Sequence, residues 1–292
     1  MGYMPHPFPG ELVSGVVIRA ARHLGITVRQ VTANLTGRRG RHPPFLLPCF
    51  IEAVARETGV EAGRLLADNS LFPYLTAALT DAHARRVAQT FLKQEFDGRH
   101  AMPSTAYLQL PGVRFRRFCE QCVAVDCAER GESYWHREHQ LPALTHCFRH
   151  GSPLVESTLA IRTPDAQAAL LPSDLEGRRE YACAMRHDDV PDWLIESSVR
   201  ALTVPSFLSA FPYVQAADRR GFQWDDAYSR ARLLGAAFAM ASLELSRLIP
   251  HHCLCSPSLA VPESARPVPQ WPTLVWIVIH HYLATSTSDC HR

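Results

Sequence analysis

Apolar residues recur at helical spacing in the first part of the chain. Every fourth position of one stretch is apolar, at Leu12, Val16, Ala20 and Leu24. This spacing predicts one face of an α-helix, which Gly25 would end. Thr27 can then cap a second helix that ends at Gly37, with Val28, Val31 and Leu35 as its apolar residues. The chain therefore opens with a predicted helical hairpin.

A second unit repeats the first at an offset of 34 residues. Ala21, Arg22, Gly25, Ile26 and Val31 fall opposite Ala55, Arg56, Gly59, Val60 and Leu65. Two copies are too few for a solenoid. Each unit is compatible with a helix-turn-helix, whose second helix enters a groove of DNA, but the packing of plain helical hairpins explains the same pattern.

The rest of the chain alternates helical and extended patterns. HARRVAQTFLKQEF predicts a helix and Leu108 to Phe115 a strand, whereas DWLIESSVRALTV and the apolar stretch from Phe222 to Ile249 predict further helices. Five prolines between Ser256 and Pro272 indicate a connector, and the last residues read as poorly ordered. We therefore predict a mainly α fold with a small zinc-ribbon-like module. Its parts are an N-terminal helical region of helix-turn-helix type (1–110), a metal-binding segment (111–160) and a C-terminal helical domain with a Pro-rich tail (161–292).

Composition narrows the class of protein. The 292 residues carry a formal net charge of +2, which argues against a strongly basic coat for nucleic acid, although 29 of the 30 basic residues are Arg. The N-terminus lacks the pattern of a signal peptide, and the apolar run from Leu274 to Ile279 is far too short to span a membrane. Nine cysteines without a secretory signal indicate a reducing compartment, so we predict a cytoplasmic protein without membrane contact.

Two short pairs of soft ligands point to a structural metal. Cys119 and Cys122 form one pair, Cys147 and His150 the other, with 24 residues between the pairs. Zinc prefers four such ligands in a tetrahedron, and a segment of this length is typical of a zinc ribbon or a treble-clef-like unit. Four protein ligands leave no open position for water. We therefore predict Zn²⁺ in a structural role.

Other potential ligands lie near the two pairs. They are Cys127, His136, His139 and His146. His136 and His139 are three positions apart and could share a helix face, but a surface or packing role explains each of them more simply. Cys183 and His187, with the HHCLC run 64 residues further on, could form a second metal site, although buried thiols and solvated histidines account for the same residues.

Sequence motifs of catalysis are missing from the chain. We find neither His-Glu-x-x-His nor His-x-Glu combined with Pro-Cys-x-x-Cys, and neither Gly-x-Ser-x-Gly nor a Gly-rich phosphate loop. A catalytic zinc also needs an open coordination position. The sequence therefore predicts a protein that is not an enzyme.

The residues around the ligand pairs form an ordered and specific set. The central elements are Tyr134-Trp135, His139-Gln140-Leu141-Pro142, Cys147-x-x-His150-Gly151 and Leu154. The preceding elements are Pro9, Glu11-Leu12-Val13-Ser14, Arg19, Gly25, Gly37, Thr58-Gly59, Leu65-Leu66 and Phe72-Pro73. Over residues 5–155 this succession resembles the TniQ family. Beyond residue 160 no resemblance is found.

The resemblance implies a role in DNA transposition. Members of the TniQ family, with the related TnsD-type proteins, select target sites for transposons that use a DDE transposase and an AAA+ ATPase. The chain would then be an adaptor that links a DNA-targeting element, either an attachment site or a CRISPR effector complex, to the AAA+ ATPase. Family members include monomers and homodimers. The alternative is a stand-alone zinc-containing helix-turn-helix regulator that binds DNA without a partner.

Two arginine clusters are candidate contacts for DNA phosphates. The first, Arg38, Arg39 and Arg41, follows the first hairpin, and a solvated loop is the alternative interpretation. The second, Arg114, Arg116 and Arg117, lies just before the first cysteine. Because side chains alternate along a strand, we expect Arg114 and Arg116 to point the same way. The low net charge favours either an adaptor that mainly binds protein or contact with DNA that is only local.

Overall fold

The chain folds into two compact units. The structure is a computed structural model, and it describes residues 3–37, 45–46, 50–92, 113–161, 169–175, 190–205, 207–241 and 271–285. The first unit comprises Met1–Pro73, Ala82–Pro103 and Val113–His187, and the second Tyr74–Asp81, Ser104–Gly112 and Asp188–Arg292. Both the predicted N-terminal part and the predicted metal-binding part contribute to the first unit. The division into three domains itself stays a prediction.

The first predicted helical hairpin is present. Helix α1 spans Val13–Leu24 and α2 spans Val28–Thr36. The side chain of Thr27 accepts a hydrogen bond from the backbone N–H of Gln30, whose side chain accepts one from the backbone N–H of Thr27. This reciprocal capping box satisfies two backbone donors that the helix start leaves without a helical partner. The predicted cap at Thr27 is therefore confirmed.

The second hairpin follows the predicted offset. Helix α3 spans Ile51–Thr58 and α4 spans Ala62–Asp68. The ends of α1 and α3 lie 34 positions apart, as do the starts of α2 and α4. Val54 and Leu65 are completely buried, as the apolar spacing requires. Both hairpins exist, whereas the entry of either one into DNA stays a prediction.

Two more helices precede the metal-binding segment. Helix α5 spans Phe72–Thr76 and α6 spans Asp81–Leu92. The latter corresponds to the helix predicted from HARRVAQTFLKQEF, and it buries Val87 and Phe91. The rings of Phe72 and Phe91 pack edge to face, with 6.0 Å between the ring centroids.

A small antiparallel sheet frames the metal-binding segment. Strand β1 (Phe115–Phe118) pairs with β2 (Val155–Ala160), and α7 (Glu120–Arg130) follows β1 directly. Short 3₁₀ turns lie at Glu138–Gln140 and Pro172–Leu175. The predicted strand from Leu108 to Phe115 therefore overlaps the observed strand only at Phe115. Positions 108–112 lie outside the described residues.

The N-terminal segment before α1 pairs with the metal-binding segment through its backbone. The N–H of Leu12 donates to the carbonyl of Trp135 at 3.0 Å, and the N–H of Arg137 donates to the carbonyl of Gly10 at 2.9 Å. Gly10 has a φ of +70°, and a Cβ at this position would lie 2.9 Å from Oε1 of Glu138. Only glycine fits both the left-handed backbone and this close approach.

A buried ion pair reinforces this pairing. Glu11 is completely buried, and its Oε2 lies 2.7 Å from the guanidinium of Arg19. The same guanidinium binds Glu132 at 2.8 Å and lies 3.8 Å over the ring of Phe8. Burial raises the pKa of Glu11 to about 7, although Arg19 lowers it in part. The N-terminal segment is therefore held by polar groups that have little access to water.

The second unit is helical and has an aromatic core. The helices within its described residues are α8 (Asp192–Thr203), α9 (Tyr213–Asp218), α10 (Ala227–Met240) and α11 (Thr273–Thr285). The ring of Trp276 lies 5.2 Å from that of Trp271 and 4.8 Å from that of Tyr213. Trp224 is a further member of this cluster, at 6.0 Å from Trp276. The helix predicted from Asp192 is confirmed as α8.

Two features of the second unit differ from the pattern read in the sequence. Helix α10 begins after Asp226, whose carboxylate accepts a hydrogen bond from the N–H of Ser229, so it starts later than the stretch from Phe222. Helix α11 was not predicted, because its apolar residues are consecutive and show no helical period. Residues 273–279 are all buried. Among the described residues, no helix has the length and apolar character that crossing a membrane requires.

Candidate metal centre

Four side chains converge between α7 and the β1–β2 sheet. Cys119 is the N-cap residue of α7, and Cys122 lies in the first turn of that helix. Cys147 and His150 lie in a turn just before β2. All three cysteines are buried, and none of them forms a disulfide. The fold thus brings together the two ligand pairs that the sequence predicts.

The distances within this cluster suit one metal ion. The four donor atoms all lie within 4.8 Å of one another. The Sγ atoms of Cys122 and Cys147 are 3.6 Å apart, and Nδ1 of His150 lies 3.5, 3.3 and 3.6 Å from the Sγ atoms of Cys119, Cys122 and Cys147. Ideal tetrahedral zinc places two sulfurs about 3.8 Å apart, and sulfur and nitrogen about 3.5 Å apart. The cluster could therefore hold a metal ion.

The turn that carries Cys147 and His150 is a narrow backbone loop. The N–H of Cys147 donates to the carbonyl of Ser152 at 2.8 Å, and the N–H of Gly151 donates back to the carbonyl of Cys147 at 2.7 Å. Gly151 has a φ of +65°, which a side chain would disfavour. This closure explains why glycine follows the histidine in the motif.

Polar hydrogens point at the sulfurs from several directions. The N–H of Cys122 lies 3.5 Å from Sγ of Cys119, and the hydroxyl of Ser152 lies 3.1 Å from the same sulfur. The backbone N–H of Arg149 is close to the sulfur of Cys147 and favours its thiolate. Such donors stabilise thiolates, the form in which cysteine binds a metal.

The two closest thiols cannot both ionise without a cation. Their hydrogen bond lowers the pKa of Cys147, whereas it raises the pKa of Cys122, since one shared proton stays between them. Two negative sulfurs 3.6 Å apart would repel each other in a site that excludes water. A bound divalent cation would remove this repulsion.

Gln140 and Arg117 fix the loop between the ligand pairs onto β1. The side-chain amide of Gln140 donates to the carbonyl of Arg117 at 2.6 Å and accepts from its N–H at 3.1 Å, as a neighbouring strand would. The guanidinium of Arg117 donates to the carbonyls of Leu141 and Leu144 at 2.6 and 2.8 Å. The Gln-Leu-Pro element thus has a structural role: it replaces a strand at the edge of the sheet.

The aromatic pair in the same loop is part of the core. Trp135 is completely buried, and its indole N–H donates to the carbonyl of Leu170 at 3.0 Å. The hydroxyl of Tyr134 donates to the carbonyl of Pro9 at 3.2 Å, which joins the loop to the N-terminal segment. The residues that resemble the TniQ pattern therefore contact one another.

The competing ligands occupy other positions. Cys127 lies further along α7, outside the cluster of four. His136 is buried and binds the carboxylate of Asp126 at 2.7 Å, a partner that the sequence did not reveal. Nδ1 of His146 lies 3.0 Å from the hydroxyl of Thr145. The residues of the suggested second site, from Cys183 onwards, lie outside the described residues.

His139 lies beside the cluster, although the sequence favoured only a surface or packing role for it. It is almost completely buried, and its Nε2 lies 3.8 Å from Sγ of Cys122. Burial lowers the pKa of His139. Its position directly before Gln140 in the motif was the available signal, but spacing alone could not place the ring beside a sulfur.

The predicted arginine contacts are only partly on the surface. Arg114 is exposed, but Arg116 is 5% exposed, and its guanidinium lies 4.2 Å over the ring of Phe45. Arg114 lies before β1, which begins at Phe115, and the register shifts between Phe115 and Arg117. The expectation that both point the same way stays a prediction. Arg38, Arg39 and Arg41 lie outside the described residues.

Comparisons with known proteins agree with this arrangement. The model of the TniQ family matches residues 3–154, which include both hairpins and the four-residue cluster. The chain is also 30% identical over 158 residues to the transposon Tn7 transposition protein TnsD of Escherichia coli. This match covers 52% of the chain and 31% of that relative, so the chain spans less than a third of its length. Since the family model covers more than half of the residues, the chain belongs to the TniQ family.

Proposed function

We propose that this protein selects target sites in DNA transposition as a non-enzymatic adaptor. The observation that carries the proposal is the match of the TniQ family model to residues 3–154, supported by the similarity to a Tn7 transposition protein. In this role the protein links a DNA-targeting element to an AAA+ ATPase and, through it, to a DDE transposase. The targeting element is an attachment site in DNA or a CRISPR effector complex.

The metal in this proposal is a structural Zn²⁺ held by Cys119, Cys122, Cys147 and His150. Three sulfurs and one imidazole nitrogen form a ligand set that zinc accepts readily, whereas Mg²⁺ and Ca²⁺ prefer oxygen. The donor distances agree with a tetrahedron, and the repulsion between the sulfurs calls for a cation. Four protein ligands complete the coordination, so the ion would shape the segment and take no part in catalysis.

Direct contact with DNA would be local in this proposal. Arg114 is exposed beside the sheet, whereas Arg116 is enclosed by aromatic rings in the structure. We therefore keep Arg38, Arg39, Arg41 and Arg114 as candidate phosphate contacts. If a contact with one phosphate is lost, the affinity should fall evenly across DNA sequences. The slope of the logarithm of affinity against the logarithm of salt concentration should become shallower by about one.

The proposal is tested with the genetic neighbours of the chain. The full-length protein is immobilised, and the AAA+ ATPase encoded beside it is applied with ATP, with and without duplex DNA. We expect specific retention of the ATPase. The proposal fails if no AAA+ ATPase or transposase gene lies nearby, or if the purified ATPase is not retained under any of these conditions.

The same experiment separates the adaptor from a stand-alone regulator. A regulator would bind one duplex sequence tightly at physiological salt without the ATPase, and the ATPase would not change that affinity. An adaptor needs a partner for stable capture of the target. A mobility-shift titration with and without the ATPase distinguishes the two.

A further inference from the structure

The ring of His139 reaches the metal cluster without belonging to its four ligands. The residue is 1% exposed and lies in the 3₁₀ turn Glu138–Gln140. Its Nε2 lies 3.8 Å from Sγ of Cys122, within the range of a hydrogen bond to sulfur. The four donor atoms of the cluster are those of Cys119, Cys122, Cys147 and His150, so His139 is left with a different role.

The surroundings of the ring determine which nitrogen carries the hydrogen. Nδ1 of His139 is buried and has no hydrogen-bond partner among the described residues. If Nδ1 carried the hydrogen, a buried donor would be unsatisfied, and the lone pair of Nε2 would face a thiolate. An unsatisfied buried donor is destabilising. The hydrogen therefore lies on Nε2, where it points at sulfur.

Each cysteine of the cluster then receives at least one hydrogen bond. Cys119 lies next to the N–H of Cys122 and the hydroxyl of Ser152, and Cys147 lies close to the backbone N–H of Arg149. His139 is a donor to Cys122 from outside the ligand set, at 3.8 Å, and its ring also interacts with the sulfur of Cys147. The three thiolates and one neutral imidazole around Zn²⁺ have a net charge of −1, and such hydrogen bonds disperse this charge.

We propose that His139 is a positioning residue of the metal centre, which donates its Nε2–H to the Cys122 thiolate and so slows the release of the metal. The inference rests on the zinc site proposed above. Groups that hydrogen bond to metal ligands orient them, and their loss typically weakens metal binding by about 10- to 100-fold. The histidine of the His-Gln-Leu-Pro element would thus act on the metal, while Gln140 acts on the strand.

Zinc release from the full chain tests the inference. The wild type, His139→Leu and His139→Gln are loaded with one equivalent of zinc and challenged with a chromogenic chelator. We expect His139→Leu to release zinc about 10- to 100-fold faster. His139→Gln should restore slow release in large part, because its amide N–H can reach the same sulfur. Tyr134→Phe is the matched control: it removes the hydrogen bond to Pro9 from the same loop, and release should stay at the wild-type rate.

Cobalt substitution separates the two roles that His139 could have. The Co²⁺ form of His139→Leu should keep the absorption of a four-coordinate site with three sulfurs. A changed coordination spectrum would make His139 a ligand and overturn the inference. Equal release rates in the wild type and His139→Leu would overturn it too, as would equally fast release from the Leu and Gln variants, which would indicate packing alone.

A measurement on the wild type covers the case in which a variant does not fold. In the ¹¹³Cd-loaded protein with ¹⁵N-labelled histidine, we expect the hydrogen of His139 on Nε2, and a scalar coupling from this hydrogen to ¹¹³Cd through the sulfur. A hydrogen on Nδ1 would contradict the inference. A wild-type protein that binds neither Zn²⁺ nor Cd²⁺ would instead overturn the metal site itself, so the two failures are distinct.

Discussion

The metal-binding segment and the core of the second unit are stabilised by opposite means. Buried polar groups hold the first and the N-terminal segment that pairs with it: Arg117 with Gln140, and Glu11 with Arg19. The second relies on aromatic and aliphatic packing around Trp276. Hydrogen bonds and ion pairs have direction, whereas apolar burial depends on area. The first region should therefore be sensitive to single atoms, the second to volume.

The largest expected effect is the loss of one metal ligand. In Cys147→Ser we expect zinc to be lost and residues 116–155 to unfold, because structural zinc contributes on the order of 10 kcal/mol to small sites of this kind. Zinc content by mass spectrometry and hydrogen exchange by peptide report the two consequences. Peptides from α11 should keep their protection, since the packing around that helix does not involve the metal.

Cys127→Ser is the matched control for this experiment. It removes a sulfur from the same helix, but not one of the four converging donors, so zinc content and protection should stay at wild-type levels. If Cys147→Ser also retains one zinc per chain, the ligand assignment is wrong.

Removal of an aromatic ring from the second unit should have the next largest effect. Trp276→Ala would leave a cavity between Trp271 and Tyr213 and lower the free energy of unfolding of this unit by about 3–5 kcal/mol. The zinc content should not change. Tyr228→Ala serves as the control, because Tyr228 is 73% exposed and its loss should change stability by less than about 0.5 kcal/mol. Zinc loss in Trp276→Ala would refute the contrast between the two regions.

Some structural features of the two regions follow from the sequence, and others do not. The hairpins follow from apolar spacing and the cap at Thr27, and the four ligands follow from paired spacing, because both are local patterns. Helix α11 carries no helical period, because residues 273–279 are all buried, so apolar spacing does not reveal it. Neither the register shift between Phe115 and Arg117 nor the burial of Arg116 has a local signal in the sequence. Pairings between distant segments, such as Leu12 with Trp135, have no local signal.

Because of Glu11, the stability that the buried polar groups give to the N-terminal segment should depend on pH. The pKa of Glu11 is raised from 4.5 to about 7 by burial, so the native state holds the proton more tightly than the unfolded chain. The resulting stabilisation is fully present below pH 4.5 and is lost as the pH rises to about 7. Relative to Glu11→Gln, which does not titrate, the wild type should lose up to about 3 kcal/mol across this range.

Chemical unfolding of the two proteins at several pH values between 5 and 7.5 measures this difference. The pH dependence of metal binding is common to both and cancels in the comparison. A difference that stays constant with pH would show that Arg19 keeps Glu11 ionised throughout. In that case the ion pair, and not the protonated carboxyl, would hold the N-terminal segment.

The smallest expected effect should be equal in the two regions. Thr27 caps α2 in the first unit and Asp226 caps α10 in the second, each through a side-chain oxygen that accepts a backbone N–H. Thr27→Ala and Asp226→Ala should each lower the free energy of unfolding by about 1 kcal/mol, whereas Thr27→Ser and Asp226→Asn should cost much less. A cap acts within one helical turn, so its loss does not depend on how that helix is packed. Urea unfolding, followed by hydrogen exchange in each unit, gives the two values.

A cost near 3 kcal/mol for Thr27→Ala, or a faster release of zinc from this variant, would mean that the first hairpin is coupled to the buried polar groups of the metal-binding segment. The contrast would then extend from the metal-binding segment to the whole first unit.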